Sequence, residues 1–214
     1  MRPLTSHTGR AVALRRSNVD TDQIVPSEFC KRVTKTGYAD ALFARWRLEP
    51  DFVLNRAASV GATVLLAGPD FGIGSSREHA VWALRDGGFS VVASARFGDI
   101  FARNALKNGL LTTVLPEEVV NGLMDVVDAD PGLEITVDLE EKQVRAPSPA
   151  GGLRCWPFEI DGRARWLILN GYDDIAVTLQ HDGDIARYEQ ARDYWLPVIR
   201  RGAAGHGPAA RTCR

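Results

Sequence analysis

The sequence has little of what metal centres are usually made from, with three cysteines and two methionines among 214 residues. Cys30, Cys155 and Cys213 are odd in number and far apart, with no CxxC pair to suggest a zinc or iron–sulfur ligand set, so the chain is expected to hold no metal of its own. Each reads as a buried or incidental thiol. Excess charge of one sign is also absent: 27 acids face 26 bases, a formal net charge of −1, which gives no field to gather nucleic acid or an anionic membrane. No apolar run approaches the roughly 20 residues that cross a bilayer, and the opening MRPLTSHTGR has no apolar core of a secretory signal. The expectation is a cytoplasmic protein with neither nucleic acid nor membrane as partner.

What is present is an apolar content of 45%, enough for one ordinary globular domain with its own core. That domain is expected over residues 1–200, and the Gly-, Ala- and Pro-rich residues 201–214 as a disordered tail. RAVAL (10–14), GATVLLAG (61–68), FSVVASA (89–95) and LLTTV read as strands. SSREHAVWALRDGG, GDIFARNALKNG and PEEVVNGLMDVVDA between and after them read as helices with Gly stops or a Pro-acidic start. This alternation predicts an α/β fold with a mostly parallel sheet and flanking helices. LEITVDL and KQVRA read as two strands around a charged turn, RCWPFEI as another, and ARWLILNG, DDIAVTLQ and DIARYEQARDYW as a helical C-terminal region. RRSNVDTDQIVP is expected as a loop, and YADALFARW, with Leu42, Phe43 and Trp46 at helical spacing, as a helix.

The densest chemistry lies in GPDFGIGSSREHA, residues 68–80, directly behind a buried strand. A glycine-rich turn that opens a helix offers free N–H groups and a favourable dipole to an anion. The dinucleotide fingerprint would need a third Gly where Arg77 stands, and a P-loop would need Lys where Gly74 stands. A carboxylate fits better, because Arg77 can grip two oxygens with a planar fork. A purely structural account competes: Ser75 and Glu78 have capping-box spacing, and Gly72 and Gly74 suit positive φ. It leaves unexplained two hydroxyls and an arginine together at the end of a strand, where open α/β sheets place ligands. His79, one turn into the helix, reads as hydrogen-bonded within the structure.

These residues, with NVDTDQIVP (18–26), FCKRVTKTGY (29–38) and FGDIFARNALKNGLL (97–111), closely resemble the small subunit of bacterial 3-isopropylmalate dehydratase, in order from about Gly9 to Trp195. The resemblance implies the swivelling domain of the aconitase superfamily, closing over a large subunit that carries the [4Fe-4S] cluster. It implies interconversion of 2-isopropylmalate and 3-isopropylmalate through isopropylmaleate, in leucine biosynthesis. By the same resemblance Ser75 is the general base, Arg77 a carboxylate ligand with Ser76 assisting, and Asp22 an active-site neighbour. Gly72 and Gly74 supply the loop backbone, and Lys31 and Arg32, in the position of the family's substrate-selecting loop, are candidate substrate contacts. Cys30 departs from the bulkier apolar residue expected there. Two alternatives stand beside this reading: a sibling dehydratase acting on citramalate, homoaconitate or another alkylmalate, and a non-catalytic anion- or nucleotide-binding module.

Overall fold

A computed structural model describes residues 1–148, 151–193 and 195–197. The expected tail over residues 201–214, with Cys213, lies outside the described residues.

The chain enters the sheet with β1 (Ser6–Leu14), leaves it for the short β2 (Val19–Asp20) and α1 (Thr21–Ile24), and returns through β3 (Val64–Ala67). Then come β4 (Phe71–Ile73), α2 (His79–Asp86), β5 (Val91–Ser94), α3 (Asp99–Lys107), β6 (Leu111–Val114) and α4 (Glu117–Ala129). The meander β7 (Glu134–Asp138), β8 (Gln143–Pro147) and β9 (Leu153–Pro157) precedes α5 (Gly162–Asn170), α6 (Asp174–Leu179) and α7 (Asp182–Ala191). The main sheet has the order β6-β5-β3-β1-β7-β8-β9. From β6 to β1 all neighbours are parallel, and from β1 to β9 all are antiparallel. The expected α/β class, the charged hairpin and the helical C-terminal region are all present. The chain divides into two compact units, Met1–Ala176 and Val177–Arg214. The first holds the sheet and the candidate site, and the described part of the second contains α7.

Period-two alternation along the strands sorts side chains into two cores on opposite faces of the sheet. Val12 and Leu14 of β1, Leu65 and Ala67 of β3 and Val92 of β5 join the aromatic core under α2 and α3, with Phe43, Phe52, Phe71, Phe97 and Phe101. Ala11, Ala13, Val64, Leu66, Val91 and Ala93 join the aliphatic core with α4, the meander and Ile168 of α5. Buried on both faces, the parallel strands read as the continuous apolar runs that mark them in the sequence.

Two stretches differ from expectation. Within residues 38–46, positions 39–45 are turns that lead into a 3-10 segment, Trp46–Leu48, instead of a helix. Phe43 adopts φ +51 and gives its N–H to the Ile24 carbonyl at 2.7 Å, so the chain bends where a helix would continue. Its ring stacks on Trp46 at 5.2 Å and meets Phe52 at 5.8 Å, so burial of aromatics, not helical periodicity, set the spacing. The stretch expected as a loop, RRSNVDTDQIVP, contains β2 and α1. Asp20 accepts from the Gln23 N–H at 2.8 Å while the Gln23 side chain accepts from the Asp20 N–H at 2.9 Å, a capping box that stabilises a four-residue helix.

Candidate functional site

The site begins where β3 ends. Gly68, Pro69 and Asp70 turn the chain into β4, which pairs in parallel with β2 through Val19↔Phe71 and Asp20↔Ile73. Asp70, at φ +61, is fixed by Arg96 through two hydrogen bonds, and the Phe71 N–H donates to the Arg96 carbonyl at 3.1 Å. This small ribbon carries α1, which follows Asp20, up to the glycine loop that follows Ile73. Residues 18–24 and 72–78 thus meet although about fifty positions separate them.

Gly72 and Gly74 hold φ of +76 and +90, as their structural reading requires. Gly72 also has no room for a side chain: a Cβ there would lie 2.2 Å from Cγ of Phe101, whose ring wedges α3 behind the loop. Beyond Gly74 the chain surfaces, and Ser75 and Ser76 are exposed while Arg77 is half-buried. The Ser75 and Thr21 hydroxyls are 2.7 Å apart, and the Thr21 hydroxyl also lies 3.4 Å from the Ser75 carbonyl. Thr21 itself is buried, at 1% exposure, so its Oγ1 is a fixed partner instead of a mobile surface group. Among the described residues the N–H groups of Ser75, Ser76, Arg77 and Glu78 engage no backbone acceptor. They are donors left without a backbone partner ahead of α2.

The capping box that the spacing of Ser75 and Glu78 allows is not formed. The helix starts only at His79, with no side-chain cap at its end, because Glu78 is used elsewhere. Its Oε1 accepts from Asn108 Nδ2 at 2.7 Å, and Asn108 Oδ1 accepts from Trp82 Nε1 at 3.1 Å, which ties the start of α2 to the end of α3. Ser75 is thereby released from helix duty. His79 also departs from expectation. Its Nδ1 is buried without a hydrogen-bond partner among the described residues, and the ring packs 5.5 Å from Tyr38 and 4.8 Å from Trp82.

Asp22, in the first turn of α1, accepts from Nη1 of Arg77. That bond raises the guanidinium above its ordinary range, with partial burial opposing, and leaves Nε and Nη2 without a protein partner among the described residues. Asp22 therefore orients Arg77 while one edge of the fork stays open for a carboxylate. Burial pushes the Cys30 thiol above its ordinary range, Arg77 opposes this, and Asp22 and Glu28 add to it. Cys30, within the segment Ser27–Lys31, thus lies within electrostatic range of the Asp22–Arg77 pair. Lys31 is exposed, whereas Arg32 is held by Asp40 through two 2.7 Å hydrogen bonds.

Of the residues marked in the sequence, the fold gathers Ser75, Arg77, Asp22, Gly72 and Gly74 into one place, with Ser76 adjacent and exposed. Arg32 faces its own loop. Thr21 was missed, although it stands one position before Asp22 in the TDQI stretch; only tertiary pairing marks it out. Among the described residues no group of three or more His, Cys, Asp or Glu side chains is placed to hold a metal ion. No helix among them is long and apolar enough to cross a membrane.

Residues 1–118, which include every residue of this site, match the family model for the aconitase C-terminal domain. The fold is thus that of an aconitase-type α/β domain. Residues 121–162 match a model described as LeuD_N, and residues 174–197 match the model for the C-terminal domain of the 3-isopropylmalate dehydratase small subunit. A 3-isopropylmalate dehydratase small subunit of Acidothermus cellulolyticus is 57% identical over 200 residues, covering 94% of this chain and 99% of that relative. Another, of Streptomyces coelicolor, is 57% identical over 197 residues, covering 92% and 98%. The chain belongs to the family of 3-isopropylmalate dehydratase small subunits. A crystal structure of 3-isopropylmalate dehydratase (leuD) from Methanocaldococcus jannaschii shares the fold, with TM-score 0.61 at 23% identity over 85% of this chain and 98% of that one.

Proposed function

We propose that this chain works in the cytoplasm as the small subunit of a 3-isopropylmalate dehydratase, a hydro-lyase of leucine biosynthesis. In this reading residues 1–200 close over a large subunit and supply half of the active site. The observation that supports it most directly is the meeting of Ser75 with Thr21, and of Arg77 with Asp22, at the end of a parallel strand.

The reaction removes a proton from the carbon beside one carboxylate of 2-isopropylmalate and hydroxide from the neighbouring carbon, leaving the double bond of isopropylmaleate. Water then adds back with the opposite regiochemistry. Proton removal builds negative charge on the carboxylate, and the open edge of Arg77, with the Ser76 hydroxyl, is placed to hold it. Ser75 takes the proton on Oγ. A serine alkoxide is ordinarily too basic to persist, so it needs donors already in position, and in this reading the Thr21 hydroxyl, 2.7 Å away, is the first of them, with N–H groups of the glycine loop assisting. Asp22 fixes the guanidinium and keeps its Nε–Nη2 edge turned to the substrate. Lys31, exposed on the neighbouring segment, supplies in this reading a further positive charge for the substrate.

In this reading the Lewis acidity for loss of hydroxide would be supplied by a [4Fe-4S] cluster on the large subunit.

Anaerobic reconstitution with the large subunit tests the assignment. Wild-type complex should form isopropylmaleate, seen by its ultraviolet absorbance, from 2-isopropylmalate in preference to citramalate and homoaconitate. Ser75→Ala should assemble normally yet lose about three orders of magnitude in kcat. A mutant complex with near-normal turnover would remove Ser75 from the mechanism, and a preference for another alkylmalate would reassign the substrate.

A further inference from the structure

The segment that leaves α1 runs through Val25 and Pro26 into a 3-10 turn, Ser27–Lys31, and then makes an excursion that returns at Tyr38. Apart from the hydrogen bonds that Arg32 and Tyr38 make, little holds that excursion, and Val33 at its tip is fully exposed. Arg32 is bound three ways. Nη1 and Nη2 each donate to one oxygen of Asp40 at 2.7 Å, and Nη1 also donates to the Gly37 carbonyl. The guanidinium carbon lies 4.9 Å from the Phe29 ring centroid and 5.5 Å from that of Tyr38, so it is within cation–π reach of rings at either end of the loop. An isolated surface ion pair would matter little, but a bidentate fork with stacking is the geometry in which such a pair gains rigidity.

Tyr38 continues the chain of contacts. It is completely buried, and its hydroxyl lies 3.1 Å and 3.0 Å from the Arg32 and Thr34 carbonyls, to which it donates. Its own N–H donates to Asp86 at 2.9 Å, and its ring meets His79 and Trp82 at 5.5 Å and 5.8 Å. These three residues belong to α2, the helix that begins two positions after Arg77.

We infer that Arg32 is a positioning residue: through Asp40 and Tyr38 it holds the 29–38 loop in a fixed place beside the Asp22–Arg77 pair and registers it against α2. The consequence for substrate rests on the function proposed above. Arg32 then acts on the substrate side chain only by setting the loop, while Lys31 and Val33 are what the loop presents.

Two measurements test this. In the reconstituted complex, Arg32→Ala, Arg32→Lys, Asp40→Asn and the Arg32→Ala/Asp40→Asn double variant are compared with wild type. Each single variant should raise KM for 2-isopropylmalate, leave kcat within about twofold, and cut the preference for 2-isopropylmalate over citramalate by about tenfold, the order of one or two misplaced methyl contacts. The double variant should be no worse than either single alanine or asparagine change. An Arg32→Ala loss ten times larger than that of Asp40→Asn would make Arg32 a direct ligand and overturn the inference. The second measurement uses the full-length chain alone and needs no substrate: trypsin should cut after Lys31 and Lys35 about tenfold faster in Asp40→Asn than in wild type. Equal cleavage rates would show that the clasp does not hold the loop, whatever reaction the complex performs. Correct assembly without any dehydratase activity, combined with faster cleavage, would instead sink the proposed function and leave the clasp intact.

Discussion

The two halves of the main sheet are built from the same kind of strand and serve different ends. In the parallel half, β3 and β5 are buried at every residue, with helices on both faces. In the antiparallel arm, β7 and β8 bury alternate residues and β9 almost none, with Leu153 at 69% exposure on the outer strand. All of the candidate site residues lie in loops and short elements associated with the parallel half, and none lies in the arm. Parallel strands require crossovers, and crossovers bring loops and helix starts together at one end of the sheet; a meander returns through tight turns and gathers nothing. The arm's contribution is the cover over the aliphatic core, where Ile135, Val137, Val144 and Ala146 meet α4.

Three substitutions would break or sharpen this contrast, in falling order of effect on turnover. Arg77→Lys keeps the charge and loses the fork, so the reconstituted complex should fall by about a hundredfold in kcat/KM, with KM raised and kcat lowered. Steady-state kinetics that leave both constants unchanged would refute the carboxylate role. Thr21→Val fills nearly the same buried volume without the hydroxyl, and should lower kcat by about tenfold through Ser75 while the chain assembles normally. An unchanged kcat would make the 2.7 Å contact incidental to catalysis. In the arm, Val144→Ala should cost about 2 kcal/mol of stability, read as a lower denaturant midpoint, and leave kcat of the assembled complex unaltered. A fall in kcat there would show that the arm does more than cover the core.

The two halves also differ in how much of them the sequence disclosed. Runs such as VLLA and VVAS announce strands because burial on both faces makes them apolar throughout, and glycines mark helix ends at Gly88 and Gly109, with φ of +97 and +74. The 18–24 stretch misled because Asn and Asp favour turns locally, whereas β2 forms only when β4 is beside it. The 38–46 stretch misled in the opposite direction, since aromatics spaced for burial imitate a helical face. Ser75 and Glu78 have the spacing of a capping box, and Asn108, thirty positions away, takes Glu78 out of it.

The sequence by itself determined the near-balanced charge, the α/β alternation and the dense motif of glycines, serines and arginine, because these depend on residue type and spacing along one segment. Only the tertiary structure decided that Thr21 faces Ser75, that Asp22 turns Arg77, that Phe101 forbids a side chain at Gly72, and that Arg32 serves its loop through Asp40. Three of these four join segments some thirty to fifty-five residues apart, and such contacts leave little local signature because their cost and their gain arise only when the chain closes on itself. The Arg32–Asp40 pair spans eight residues, yet spacing alone does not say whether the guanidinium turns inward to its loop, where Asp40 and the Tyr38 ring meet it, or outward to a ligand.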